Sequence, residues 1–126
     1  NNIFGVLESA LDDYDSIDLP EPPNPPGNWI SAYFPHSGWN HFLSDNFTQD
    51  YKTNQFCNNI KEWNLIVKAN SFGPAVLTFN NMDLFPSNLE LEFFEGDDNL
   101  TISNNSINLE LSQNIEKELL IRVSIN

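Results

Sequence analysis

The chain has 126 residues and a mass of 14.4 kDa, which is one domain, and its 40% apolar content is enough to build a core. Mean hydropathy is −0.38 and no apolar run exceeds about three residues, so a membrane-spanning helix, which needs roughly 20, is excluded. Five Lys and Arg against eighteen Asp and Glu give a net charge of −13 and a pI near 4.1, a field that repels nucleic acid and anionic membranes.

Residues 1–27 show no periodicity that predicts a strand or a long helix. They carry an apolar group (Ile3, Phe4, Val6, Leu7, Leu11), an acidic run from Asp12 to Asp18, and five of the eight prolines between Pro20 and Pro26. A proline stretch of that density prefers polyproline II and stays out of a sheet interior. The apolar group argues against a free linker, so the segment is expected to lie along its own or a neighbouring domain.

After Gly27 the pattern turns to β. Residues 28–34 (NWISAYF) alternate Trp29, Ser31 and Tyr33 against Ile30, Ala32 and Phe34. A weaker strand is predicted over 47–52 and a strong one over 62–69, with Trp63, Leu65 and Val67 on one face. Residues 75–80 follow a Gly73-Pro74 turn. Residues 89–95 alternate Leu89, Leu91 and Phe93 with Glu90, Glu92 and Phe94, as a half-buried strand does. Residues 96–99 form a turn, residues 100–103 continue, and 107–111 and 117–125 each alternate once more. The expectation is therefore an all-β chain: an antiparallel β-sandwich of immunoglobulin or fibronectin III type over 28–126, with seven or eight strands and an extended acidic, proline-rich N-terminal segment over 1–27. Trp29 and Trp63 are expected in its core.

The single cysteine, Cys57, allows no internal disulfide and reads as a small residue packed beside Phe56. The chain opens on Asn1-Asn2 with no initiator Met, as a processed product or an excised segment would. Asparagine contributes 20 residues; with 15 Ser and Thr, the three glycosylation sequons are close to chance, and a turn-rich fold accounts for the asparagines.

The run FGVLESALDDYDSIDLPEPPNPPGNWISAYFPH resembles the opening of an immunoglobulin-like module found in large secreted proteins of Bacteroidota and related bacteria, beside peptidase, glycosidase or adhesive domains and upstream of a type IX secretion sorting domain. The likeness continues through Trp63-Asn64-Leu65-Ile66-Val67 to Arg122-Val123. It implies an extracellular or cell-surface location and a structural role. One position departs: a glycine expected before the aromatic Tyr14 is Asp13 here, which adds a carboxylate to the loop.

Three constellations carry chemistry. Asp12, Asp13, Asp15 and Asp18, flanked by Glu8 and Glu21, are spaced hard-oxygen ligands that point to calcium or another divalent ion, or else to a solvated acidic collar. The spacing is not that of an EF-hand. Trp29, Tyr33, Phe34, Trp39 and Phe42 form an aromatic group in which Trp39, in the polar stretch Ser37-Gly38-Trp39-Asn40, is the residue expected to be exposed; with Tyr33 it would make a glycan-stacking platform. His36 and His41 lie between them with no third ligand near in sequence. No phosphate loop, G-x-S-x-G elbow or H-E-x-x-H occurs, so the sequence reads as non-catalytic. The expected role is an extracellular structural or adhesive module with neighbouring domains as partners. Two alternatives follow from the same residues: a self-assembling subunit of a filament or surface layer, its N-terminal segment adding to the sheet of the next copy, or a carbohydrate-binding module that takes polysaccharide.

Overall fold

The computed structural model describes all of residues 1–126 and is nearly all β. Its strands are β1 (Ile3–Leu7), β2 (Leu19–Pro20), β3 (Ile30–Pro35), β4 (Asn46–Thr53), β5 (Ile60–Ala69), β6 (Gly73–Thr78), β7 (Leu89–Glu95), β8 (Asp98–Leu100), β9 (Ser106–Leu111) and β10 (Lys117–Ile125). The only helical turns are 3-10 turns at Ser37–Trp39 and Met82–Leu84, and no helix is long and apolar enough to cross a membrane.

The strands form a β-sandwich. One layer runs β3-β5-β10-β7-β8, all antiparallel. Opposite it lie β4 with β1 and β2 on its two sides, and the separate antiparallel pair β6-β9. Strand β3 joins the layers: Ile30–Tyr33 pair with β5, whereas Phe34 and Pro35 pair with β4. Alternation puts Trp63, Leu65 and Val67 of β5, Phe93 of β7, and Leu119, Ile121 and Val123 of β10 on the inner face. Ile121 lies across from both Trp63 and Phe93. The second layer covers this face, with the Phe4 ring tilted against Trp63 at 5.4 Å and Phe79 4.6 Å from Phe93. Full burial of side chains such as Leu119, Ile121 and Phe93 stabilises the fold by about 1.5–3 kcal/mol each.

The strong alternations of the sequence became strands, and 117–125 has the predicted bounds. The N-terminal segment did not follow expectation. Residues 3–7 are a strand, paired in parallel with β4 from Ile3 opposite Gln49 to Leu7 opposite Thr53, so the sandwich is mixed and not purely antiparallel. Phe4 and Val6 turn inward. Gly5 sits opposite Tyr51, where an added Cβ would lie 3.1 Å from the tyrosine ring; a side chain there would displace the ring. Trp29 is half-buried and not a core residue, because it precedes the point at which β3 enters the sheet. Cys57 is exposed, while its neighbour Phe56 covers Lys61 with its ring 5.6 Å from Nζ. Every non-glycine residue with positive φ is an asparagine: Asn40, Asn59, Asn81, Asn104, Asn105 and Asn114. Asparagine tolerates the left-handed region better than other side chains with a Cβ, so the turns account for part of its abundance.

Candidate functional site

The loop between β3 and β4 is tightly built. Pro35 ends β3 without an N–H to extend it, and the His36 N–H donates to the Asp45 carbonyl (2.8 Å), which closes the loop. The 3-10 turn ends at Asn40, in the left-handed conformation with its N–H on the Ser37 carbonyl. The Leu43 N–H donates to His41 Nδ1 (3.1 Å) and the Asn46 N–H to Ser44 Oγ (2.9 Å).

The aromatic side chains of this loop gather round Phe47, the first fully buried residue of β4. Trp39 meets Phe47 edge-on at 4.9 Å, His41 at 5.6 Å and His36 at 5.9 Å. Tyr14, from the acidic loop, packs at 5.9 Å from Phe47, 5.8 Å from Trp39 and 5.1 Å from His41. His36 and Trp39 are stacked face to face, 3.5 Å apart and 4° from parallel. Trp39 is therefore half-buried with one face covered, where the polar flanking residues predicted exposure. Tyr33 does not join it. It is 8% exposed, on the far face of β3, with its hydroxyl donating to Glu116 Oε1 (3.0 Å). Burial and then the Glu116 carboxylate push its pKa up to about 12. A ring so enclosed has no face to offer a sugar, so the Trp39–Tyr33 platform is not formed. The exposed ring is Phe42, stacked on His41 at 4.9 Å.

Beneath the aromatic rings lies a polar centre. His36 Nε2 donates to Asp50 Oδ2 at 2.6 Å, and Asp50 is fully buried. Its other oxygen, Oδ1, has no partner, while its backbone carbonyl accepts the Trp63 indole N–H (3.1 Å). Asp18, equally buried, accepts the N–H groups of Tyr51 (2.9 Å) and Asp15 (3.1 Å). Burial raises the Asp18 pKa above the usual carboxylate value against the pull of those two hydrogen bonds, and the charges of Asp50 and Asp15 add to the rise.

The acidic loop uses its carboxylates locally. Asp15 accepts the Leu11 N–H at Oδ2 (2.7 Å) and the Ile17 N–H at Oδ1 (2.8 Å), which folds 11–17 into a turn. Asp12 Oδ1 accepts Lys61 Nζ (2.8 Å) and the Thr53 N–H (3.3 Å). Asp13 projects into solvent. Asp12, Asp15 and Asp18, three of the four residues named as calcium ligands, thus diverge onto different donors while Asp13 faces solvent, and no three His, Cys, Asp or Glu side chains converge on a point that could hold a metal ion. Among the surface clefts are two of about 220 Å3, one beside Lys52, Cys57 and Lys61, the other between Glu21–Pro25 and β3.

Sequence reasoning missed Asp50 and Phe47. Both lie in the strand predicted weakly, and Asp50 stands across from inward-facing Phe4, a register visible only once β1 is known to pair there. No protein-family model, no curated protein and no solved structure matches the chain.

Proposed function

We propose that the chain is a non-catalytic, extracellular structural or adhesive module in which residues 1–27 are an integral part of the domain. The observation that carries this reading is the cis docking of that segment: β1 adds to β4 of its own chain, and Asp12, Asp15 and Asp18 bond to donors of the same chain. A linker would leave those carboxylates in water, and an assembly arm would leave the β1 side of β4 open for a second copy. The chemistry of the histidine centre supports the same reading. His36 orients towards Asp50 as a general base would, yet its ring is stacked on Trp39 and bonds to no hydroxyl or thiol. The extracellular assignment rests on the likeness of the opening stretch to secreted bacterial modules.

Sedimentation velocity at micromolar concentration, combined with limited proteolysis, tests it. A single monomeric species with residues 8–27 protected is expected. Fibres or concentration-dependent oligomers, or rapid cleavage within 8–27 while the remainder stays intact, would refute it in favour of the filament subunit.

A further inference from the structure

The molecule buries only two side-chain polar atoms without a hydrogen-bond partner, and both are carboxylate oxygens: Glu21 Oε2 and Asp50 Oδ1. Both lie on the seam where residues 1–27 dock on the sandwich. Glu21 follows β2, donates its N–H to the Asn46 carbonyl (2.8 Å) and accepts the Ser31 hydroxyl at Oε1 (3.3 Å). Asp50 stands on β4 across from Phe4 of β1. Asp18, another carboxylate of the seam, is 1% exposed, as Asp50 is. An ionised carboxylate out of water is costly unless a cation or a full set of donors compensates it. The neighbours of the seam do not supply that compensation. The β3–β4 loop contributes His36, 2.6 Å from Asp50, with Tyr14 and His41 packed beside it around Phe47. The acidic loop contributes Asp15, a further negative charge, whose N–H is bonded to Asp18. From β5 comes the uncharged Trp63 indole, bonded to the Asp50 carbonyl, and from β1 the Phe4 ring. No Lys or Arg pairs with Asp18, Glu21 or Asp50. Lys61 is paired with Asp12, Lys117 with Glu95 and Arg122 with Glu62, while Lys52 lies over Trp63.

A proton taken up here either removes a buried negative charge or adds a positive one at His36. Both changes favour contact between residues 1–27 and β4, and loss of the proton restores repulsion between Asp18 and Asp50 across the docking surface. We propose that His36 and the carboxylates of this seam form a proton-operated clasp, which holds the N-terminal segment more tightly as the medium becomes acid. The proton belongs to the group as a whole, because interacting sites share their titration. Asp18 agrees in sign. Burial, opposed by the Tyr51 and Asp15 N–H groups and reinforced by the charges of Asp50 and Asp15, holds its carboxyl above the ordinary value of 3.8. Its share of the stability is therefore complete below 3.8 and is lost as pH rises through the higher folded value. The clasp rests on the cis docking of residues 1–27 and is separable from it. A segment free at every pH would sink the module reading as well, whereas a docked segment indifferent to pH sinks only the clasp.

The test is amide hydrogen exchange read by NMR from about pH 7.5 to about pH 4.5, corrected for intrinsic rates, at low and high salt. Wild type, Asp18→Asn and Asp50→Asn are compared. The probes are the Tyr51 and Asp15 N–H groups, which donate to Asp18, and the β1–β4 ladder, with the amides of β10 as internal reference. In wild type the opening equilibrium of the segment is expected to fall roughly fivefold at the acid end, with β10 changing less and salt making no difference. Each variant should cut that response to less than about twofold. Protection that stays level or falls on acidification would overturn the proposal, as would a response of full size in both variants. So would a response that high salt abolishes, because repulsion among the surface charges behind the net −13 is screened and a buried pair is not. If the variants do not fold, the wild-type ratio of segment to β10 protection, followed against pH at high salt, decides alone.

Discussion

Removing the Tyr33 hydroxyl should change how the domain responds to alkali, by an amount the structure sets. The phenol is buried and donates to Glu116 Oε1 at 3.0 Å, and its pKa stands at about 12 against an ordinary value of 10.0. Because the folded state holds this proton more tightly than the unfolded chain, the resulting stability is fully present below about pH 10 and is lost as pH rises through about 12. That difference corresponds to roughly 3 kcal/mol across the window. Tyr33→Phe lacks this contribution and gives up a hydrogen bond worth about 1 kcal/mol at neutral pH, since Glu116 can turn to water. The variant should therefore be the less stable protein at pH 7 and the more stable one at the alkaline end, the two urea-unfolding curves crossing between those limits. Phenolate absorbance at 295 nm reads the same event directly. The folded wild type, with three tyrosines, should show a late step that Tyr33→Phe lacks. Survival of the late step in the variant, or stability curves that run parallel from pH 7 upward, would refute the reasoning.

Lys61 is 7% exposed and its counter-ion Asp12 57%, so the pair is half in water. Asp12→Asn should destabilise by about 1–2 kcal/mol in urea, discounted from a fully buried pair because Asp12 is screened, whereas Lys61→Met, which removes the charge and keeps the stem against Phe56, should stay within about 1 kcal/mol of wild type. Equal losses in both variants would contradict this ordering. Chelation is the other test: with Asp12, Asp15 and Asp18 already bonded to protein donors, excess EDTA should leave the melting curve unchanged. A drop in Tm restored by calcium would show that the loop rearranges around an ion.

The β half was legible because burial there follows a two-residue period. In 117–125, Leu119, Ile121 and Val123 face the core, and Glu118 and Arg122 do not; no distant information is needed to see it. Strand β1 lacked that advantage. Its outward residues Ile3 and Leu7 are as apolar as inward Phe4 and Val6, Gly5 interrupts the run, and its partner lies more than 40 residues on. Trp39 was misjudged for a related reason. Ser37, Gly38 and Asn40 are exposed, so the local composition is truthful, but the indole is covered by His36 and Phe47. Asp50 shows the limit most clearly. A carboxylate in a strand reads as solvent-facing, and only the meeting of β4 with His36 and Trp63 makes its burial intelligible. Cys57 erred in the opposite direction: Phe56 packs over Lys61, and the thiol beside it stays in water.

The position of β10 governs how the domain can come into being. Residues 117–125 lie in the middle of the larger sheet, hydrogen-bonded to β5 on one side and β7 on the other, and β5 and β7 do not touch without them. Until these nine residues arrive, the chain holds two open strand edges and a row of bare apolar side chains, the state most exposed to aggregation and to chaperones. Acquisition of structure is therefore a late, concerted event that follows delivery of the whole stretch, at the millisecond-to-second pace typical of non-local β topologies. A chain in that condition stays unfolded until its last strand is in place.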